Sequence, residues 1–559
     1  MAPPAVAGAR RVPGVPGGPE SFIETASSAK LNLGMHCTCV RQTDLPNTSR
    51  LAADVLYDPD RAARFYRHPL HGIEGVRGAA DEMRFPDDRR AAVVGALRQS
   101  NPASAALDRL AQPGTMVVAT GQQVGLFSGP CYTIYKALHA ARLAAWLTAN
   151  GIPAVPVFWL ATEDHDFAEV SHVSVFDAGH RPVKLEMRRS AGSTQPVGGV
   201  PLASPPVAEL RAALTGFPFA DEVCGLVERT YRPGNTMGAA FGELLRGILA
   251  DFDIPQLDPM LPAFRELAAP TLRAAVEAAP ELTAKVLERN RELAAAGYHA
   301  QVHVEENTSF VFLLEGGKRL ALRRHGNEYV LNGRRFAAAE LMDRAASLSP
   351  NALLRPVVQD SMLPTVAYVG GPAETAYLAQ SEAIYSVLLG RMPVPVMRTG
   401  FTIVDAHSYK LMERYGLKLA DFFHGEDALR EPIAARLVPP SLSGAMRESS
   451  AAVESALERL RERLAEFDPT LGRALDNSSR KIRYQLGKLE GKTRREALRR
   501  NVRATADAAS LGGLIYPEQH LQERIYSILP FLAKHGFPLI GRIHDAISLE
   551  CPDHRMLVV

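Results

Sequence analysis

A strand, a glycine-rich turn, a helix and a second strand follow one another between Met116 and Asp166, and this order constrains the fold more than any other stretch of the chain. Met116 to Thr120 is a short apolar run, as expected of a parallel strand buried on both faces. Gly121, Gly125 and Gly129 then punctuate a turn that ends at Pro130. Tyr132 to Asn150 carries Ile134, Leu138, Ala141, Ala145 and Trp146 on one helical face, and Gly151 stands where a left-handed cap would end that helix. Ala154 to Ala161 is apolar again, and Glu163, Asp164, His165 and Asp166 follow at once. A unit of this length is a right-handed crossover between parallel strands, so the chain is α/β. Ligands of such sheets sit beyond the carboxyl ends of the strands, where both polar clusters fall.

The chain has 559 residues, more than one hydrophobic core organises, so two or three structural units are expected. A net charge of +2 gives no reason to expect a nucleic-acid partner. No run of eighteen apolar residues occurs, so no membrane span is expected, and the start does not read as a secretory signal. Five scattered cysteines fit a reducing cytoplasm better than a disulfide framework.

Residues 1–38 are rich in small residues and Pro and are expected to be weakly ordered. Residues 39–170 form the first part of the core. Residues 171–345 are insertions: β-rich over 171–215, helical over 236–300, and an antiparallel meander over 301–337 with strands at Val302–Val304, Ser309–Leu314, Leu320–Arg323 and Tyr329–Leu331. Residues 346–434 return to the core, with strands at Pro364–Val369 and Val394–Arg398. Over 435–510, Val453, Leu457, Leu460, Leu464 and Phe467 are spaced four, three, four, three. Asp468-Pro469 breaks that helix, and Leu471, Leu475, Ile482, Leu486 and Leu489 resume the stripe. This is an antiparallel hairpin of coiled-coil type, packed on its own domain or, as its narrow seam favours, against a second copy. Residues 511–559 pack on the core, with a helix near Gln522–His535 and a strand near Leu539–Ile543.

Three clusters could carry chemistry. Thr120, Gly121, Gln122, Gln123, Gly125, Ser128 and Gly129 could bring backbone amides and polar side chains to an anion, although the spacing is neither a dinucleotide fingerprint nor a phosphate loop. Glu163, Asp164, His165 and Asp166 could supply a base and an ammonium site; a solvated loop with one capping Asp is the plain alternative. With His172 they could also ligate a metal, but the spacing matches no zinc pattern, and no metal site is predicted. Gly370, Gly371 and Glu374 form a second strand-to-helix turn, with Tyr377 one turn on and Arg355 and Gln359 before the strand; a Glu374 that only caps the helix is the plain alternative. Cys37 and Cys39 lack a second cysteine pair, Cys131 reads as a small buried side chain, and the basic run Arg480–Arg503 as a solvated helix face.

These strings together resemble the BshC family of bacillithiol biosynthesis. The matching text is Thr120 to Pro130 with Tyr132 and Lys136, Pro156 to Phe167, Gly297 to Val302, Arg355-Pro356, Gly370 to Tyr377, and Leu521 to Arg524 before a Leu-Pro-Phe helix. The resemblance spans roughly residues 40–545. It implies a Rossmann-like core with connecting-peptide insertions, an α-helical antiparallel coiled-coil arm that makes a homodimer, and a ligase joining cysteine to glucosaminyl malate. It also implies that Tyr132 and Lys136 belong to the substrate site, and it leaves room for ATP or another nucleotide as activator. A dimeric binding scaffold without catalysis is the alternative function. The chain departs from the family in having no Lys-Met-Ser-Lys-Ser loop and in carrying Ala373 where Gly is usual. Met35 stands close to where the family begins, which points to a start there rather than at Met1.

Overall fold

The computed structural model describes residues 37–188 and 194–559, so nearly all of the N-terminal segment expected to be weakly ordered lies outside the described residues.

Five parallel strands make the central sheet: β1 (Met116–Gln123), β2 (Ala154–Ala161), β3 (Gln256–Leu257), β4 (Thr365–Gly370) and β5 (Val394–Met397), in the order β5-β4-β1-β2-β3. Helix α1 (Tyr132–Ala149) crosses between β1 and β2, whose register runs from Met116 opposite Ala154 to Gln123 opposite Ala161. The crossover read from the sequence is therefore present. The strand order turns at β1, which has β2 on one side and β4 on the other, and that reversal opens a crevice beyond their carboxyl ends.

β1 continues three residues past its apolar run, so Gly121, Gln122 and Gln123 belong to the ladder and not to the turn. Gly121 is required there: a Cβ would lie 2.8 Å from Cβ of Trp159 on β2.

Other differences have simple causes. Val302–Val304 is not a strand; the meander begins at Thr308 and gains Leu348–Pro350 as its edge. Leu539–Ile543 lies in a helix, Pro538–Ala546; a short apolar run does not distinguish strand from helix, and Pro538 at the first turn favours the helix. The segment near Gln522–His535 splits into helices Gln522–Ile525 and Leu529–His535. Among the described residues of 171–215 the β-structure is the hairpin His172–Phe176 with Pro182–Glu186 and an isolated bridge from Pro201 to Thr236. β3 is too short to show a pattern at all.

Helices α2 (Arg355–Met362) and α3 (Pro372–Leu388) stand on either side of β4 in the chain. The arm is α4 (Pro440–Phe467) and α5 (Pro469–Arg500), broken at Asp468, whose side chain accepts the Thr470 N–H at 2.7 Å. Arg461 pairs with Asp476 and Arg483 with Glu454 across the hairpin, as antiparallel helices require. Leu460, Phe467, Leu471, Ile482, Tyr484 and Leu489 stay exposed.

A separate sheet places His554–Val558 between Cys37–Val40, antiparallel, and Phe401–Val404, parallel. Cys37 and Cys39 thus lie in a strand. Cys131 is fully buried, and burial raises its thiol far above the ordinary value.

The hairpin turn is tied to the C-terminal segment through His180. Its Nε2 accepts from Lys534 at 2.9 Å, its Nδ1 meets Ser510 at 2.9 Å, and Lys534 also pairs with Asp405 at 2.9 Å. Burial, then Lys534, lowers His180 from 6.5 to about 4. The neutral ring is the folded form, so its contribution is complete above pH 6.5 and is lost as pH falls from 6.5 toward about 4. We expect His180 to account for about 1–3 kcal/mol of acid destabilisation in that window. Thermal unfolding between pH 7.5 and 4.5 tests this: His180→Asn should flatten the slope, and an unchanged slope would remove His180 from the explanation.

Candidate active site

A cavity of about 610 Å³ opens at the carboxyl edge of the central sheet. One wall is built on α1 and the start of α3. Lys136 is buried and donates to Gly121 O at 3.1 Å, to Gln122 Oε1 at 2.9 Å and to Glu374 at 2.5 Å, so each of its protons has an acceptor. Glu374 also accepts from the Gly371 N–H at 2.8 Å and from Tyr368 Oη at 2.9 Å. Burial alone would raise the Glu374 carboxyl, but Lys136 and these two donors hold it below its usual range. Gly370 allows this closeness, since a Cβ there would lie 2.9 Å from Cβ of Glu374. Arg355 donates to Tyr377 at 3.0 Å, Tyr368 at 3.2 Å and Gln359 at 3.1 Å, and stands 5.9 Å from the Trp159 ring centre. No carboxylate forms an ion pair with it among the described residues. Gln359, fully buried, is a support for Arg355 and does not line the cavity.

The other wall is acidic. Gln123 Nε2 donates to Asp164 at 2.6 Å and to Glu169 at 2.8 Å, bridging two carboxylates that both line the cavity. Burial would raise Asp164, but Gln123, then Arg319 and two backbone N–H groups, hold it below the usual carboxylate range. Glu163 also reaches the cavity, yet it is buried between Arg265 at 2.9 Å and Ser349, which makes it a structural tie.

Several residues of the sequence clusters do not meet the cavity. Thr120 is buried and donates to Val369 O at 2.7 Å, joining β1 to β4. Gly125, Ser128 and Gly129 form a loop packed beneath the sheet edge, with Phe127, Ser128 and Gly129 at positive φ. Its amides are used internally: Gly125 N–H donates to Gln123 O at 2.9 Å, Phe127 N–H to Tyr231 Oη at 3.0 Å and Gly129 N–H to Leu126 O at 2.9 Å. The loop is therefore no anion cradle. Asp166 caps the short helix Phe167–Val170, accepting from Glu169 N–H at 3.2 Å. His165 lies beside Phe312, and its Nδ1 accepts from Arg319 at 3.1 Å. Burial and Arg319 push its pKa below 6.5. The lone pair a base would use is occupied, so His165 is poorly placed for that role.

Residues missed from the sequence line the cavity too: Trp159, Glu169, Arg319, Tyr368, Arg398 and Arg524. Only Arg398 carried a local signal, a charge at the carboxyl end of a core strand.

The arrangement is that of an α/β enzyme whose cavity is cationic at one end and acidic at the other. The family is named by comparison. The model described as "Bacillithiol biosynthesis BshC, N-terminal Rossmann-like domain" matches residues 35–399, and "Bacillithiol biosynthesis BshC, C-terminal coiled-coil domain" matches residues 401–559. A protein of Solibacter usitatus is 68% identical over 525 residues, covering 94% of this chain and 100% of its own. One of Koribacter versatilis is 35% identical, covering 93% and 99%, and one of Symbiobacterium thermophilum 32%, covering 90% and 95%. All three are named "Putative cysteine ligase BshC". The chain belongs to the BshC family, and the resemblance read in its motifs is borne out.

Proposed function

We propose that this cavity is the active site of a ligase that joins the carboxyl of cysteine to the amine of glucosaminyl malate, completing bacillithiol. The family membership supports the reaction class. The observation that carries the placement is the split polarity of one cavity: Arg355 without a carboxylate partner on one side, Asp164 and Glu169 bridged by Gln123 on the other. Arg355 holds a substrate carboxylate. Asp164 and Glu169 hold the attacking amine, and Glu169 takes its proton as the C–N bond forms and the bond from the cysteine carboxyl to its activating group breaks. Lys136 and Glu374 keep the first wall rigid and charged.

A free carboxylate does not acylate an amine, so the cysteine carboxyl arrives activated, and ATP or another nucleotide is the proposed activator. The buried glycine loop does not fit its phosphates, and no step is routed through it. The test is a purified reaction of cysteine, glucosaminyl malate and a nucleotide panel, read by mass spectrometry. Amide product with at least one nucleotide is expected; none with any would overturn the ligase reading. In that assay His165→Asn should fold and retain ligation within about threefold. A loss of several hundredfold would return the base role to His165.

We also place the enzyme in the cytoplasm as a homodimer paired through the arm. The exposed side chains of Leu460, Phe467, Leu471 and Ile482 support that pairing. No helix among the described residues is long and apolar enough to cross a membrane. Light scattering should show a dimer at micromolar concentration and a monomer after deletion of 440–500; a monomeric full chain would overturn the pairing.

A further inference from the structure

We propose that Arg524, delivered to the cavity by the C-terminal domain, is a substrate-binding residue that holds an anionic group, and that Glu523 is a positioning residue that sets Arg398 beside it. The inference rests on the cavity being where substrate binds, as read above.

The string Leu521–Arg524 lies past the arm, and its Gln522 and Glu523 side chains are each held in place. Gln522 is fully buried: its Nε2 donates to Ile403 O at 2.9 Å and Leu514 O at 2.8 Å, and its Oε1 accepts the Ile403 N–H at 2.7 Å. Glu523 takes Arg398 in a fork, at 2.6 and 2.9 Å, and accepts the Phe401 N–H at 3.0 Å. The passage for Glu523 depends on Gly400, whose Cβ would lie 3.1 Å from Glu523 Oε2 and 2.6 Å from His554 Nδ1. With the two preceding residues locked, the exposed Arg524 stands at the cavity wall, 5.8 Å from the Tyr132 ring centre.

Three cations surround that ring: Lys136 at 5.6 Å, Arg398 at 5.3 Å and Arg524. Glu374 neutralises the first and Glu523 the second. Arg524 has no carboxylate at ion-pair distance among the described residues. Arg398 adds a second unmet need. Its side chain is 5% exposed, and its Nε has no hydrogen-bond partner. That Nε faces Gly371, lying 3.9 Å from where a Cβ would stand, at the N-terminus of α3. An unneutralised guanidinium and an orphan N–H thus stand beside the same Tyr132 ring. A carboxylate or phosphoryl group satisfies both, with charge-assisted hydrogen bonds.

The test is calorimetric titration of the full chain with L-malate and, separately, inorganic phosphate, which needs no ligation. At least one should bind, and the one that binds identifies the anion class. Arg524→Ala should weaken that probe by about tenfold to a hundredfold, and Arg524→Lys should recover part of the loss. Equal affinity in wild type and Arg524→Ala overturns the proposal, as does no binding of either probe by the wild type. The positioning role predicts that Glu523→Gln weakens the probe in the wild-type background but not in an Arg398→Met background; additive effects would make Glu523 merely structural. Probe binding without ligation would sink the ligase reading and spare this one, and ligation without probe binding the reverse.

Discussion

Replacing Glu374 by Ala should reduce ligation by about 10²- to 10³-fold and lower the unfolding free energy by about 3–5 kcal/mol. The reason is Lys136. Its ammonium is enclosed, and Glu374 at 2.5 Å is its counter-ion. Burial already lowers the Lys136 pKa, and Arg398 and Arg355 act in the same direction. Without Glu374 the cation is left uncompensated beside the guanidinium groups of Arg398 and Arg355. The double replacement Lys136→Met with Glu374→Leu removes both charges at similar volume and should regain most of the stability while ligation stays low. Urea unfolding and the mass-spectrometric assay read the two effects separately. A double variant no more stable than Glu374→Ala would remove the ion-pair explanation.

Arg355→Lys is expected to lower kcat/KM by about 10²-fold despite keeping the charge. The guanidinium reaches Tyr368, Tyr377 and Gln359 at 3.2, 3.0 and 3.1 Å at once; a single ammonium cannot reproduce that fork. Those contacts fix the cation beside Trp159, and the proposed carboxylate contact depends on that orientation. Steady-state kinetics with each substrate varied in turn shows which one Arg355 serves: its KM should rise. Wild-type kinetics for both substrates would end the carboxylate role of Arg355.

The crossover through β1, α1 and β2 was legible because it is local: two apolar runs and one amphipathic helix, each with its own period, in unbroken order. The turn at Gly371 and Glu374 was legible for the same reason. The glycines were not. Gly121, Gly125 and Gly129 look alike in the chain, yet Gly121 lies in a ladder against Trp159 while Gly125 and Gly129 close a buried loop. What separates them is the partner each backbone meets, and those partners lie at distant positions. The acidic run failed in the same way. Asp164 faces the cavity, Glu163 is tied to Arg265, Asp166 caps a helix and His165 is occupied by Arg319. Arg265 and Arg319 belong to the insertions, and no local pattern predicts that they return to the sheet edge. Arg524 comes from still further along the chain; it was visible only as part of a motif shared with the family.

The sheet that joins Cys37–Val40 to His554–Val558 sets an order on how the protein is made. On a ribosome the first of these strands emerges long before its partner, which follows the central sheet and the arm. The central sheet can assemble while translation proceeds, since its strands all lie upstream of the arm. The first strand, by contrast, must wait with its edge unpaired. Closure of this clasp therefore waits until His554–Val558 has left the ribosome, and nascent chains should expose the edge of Cys37–Val40 until then.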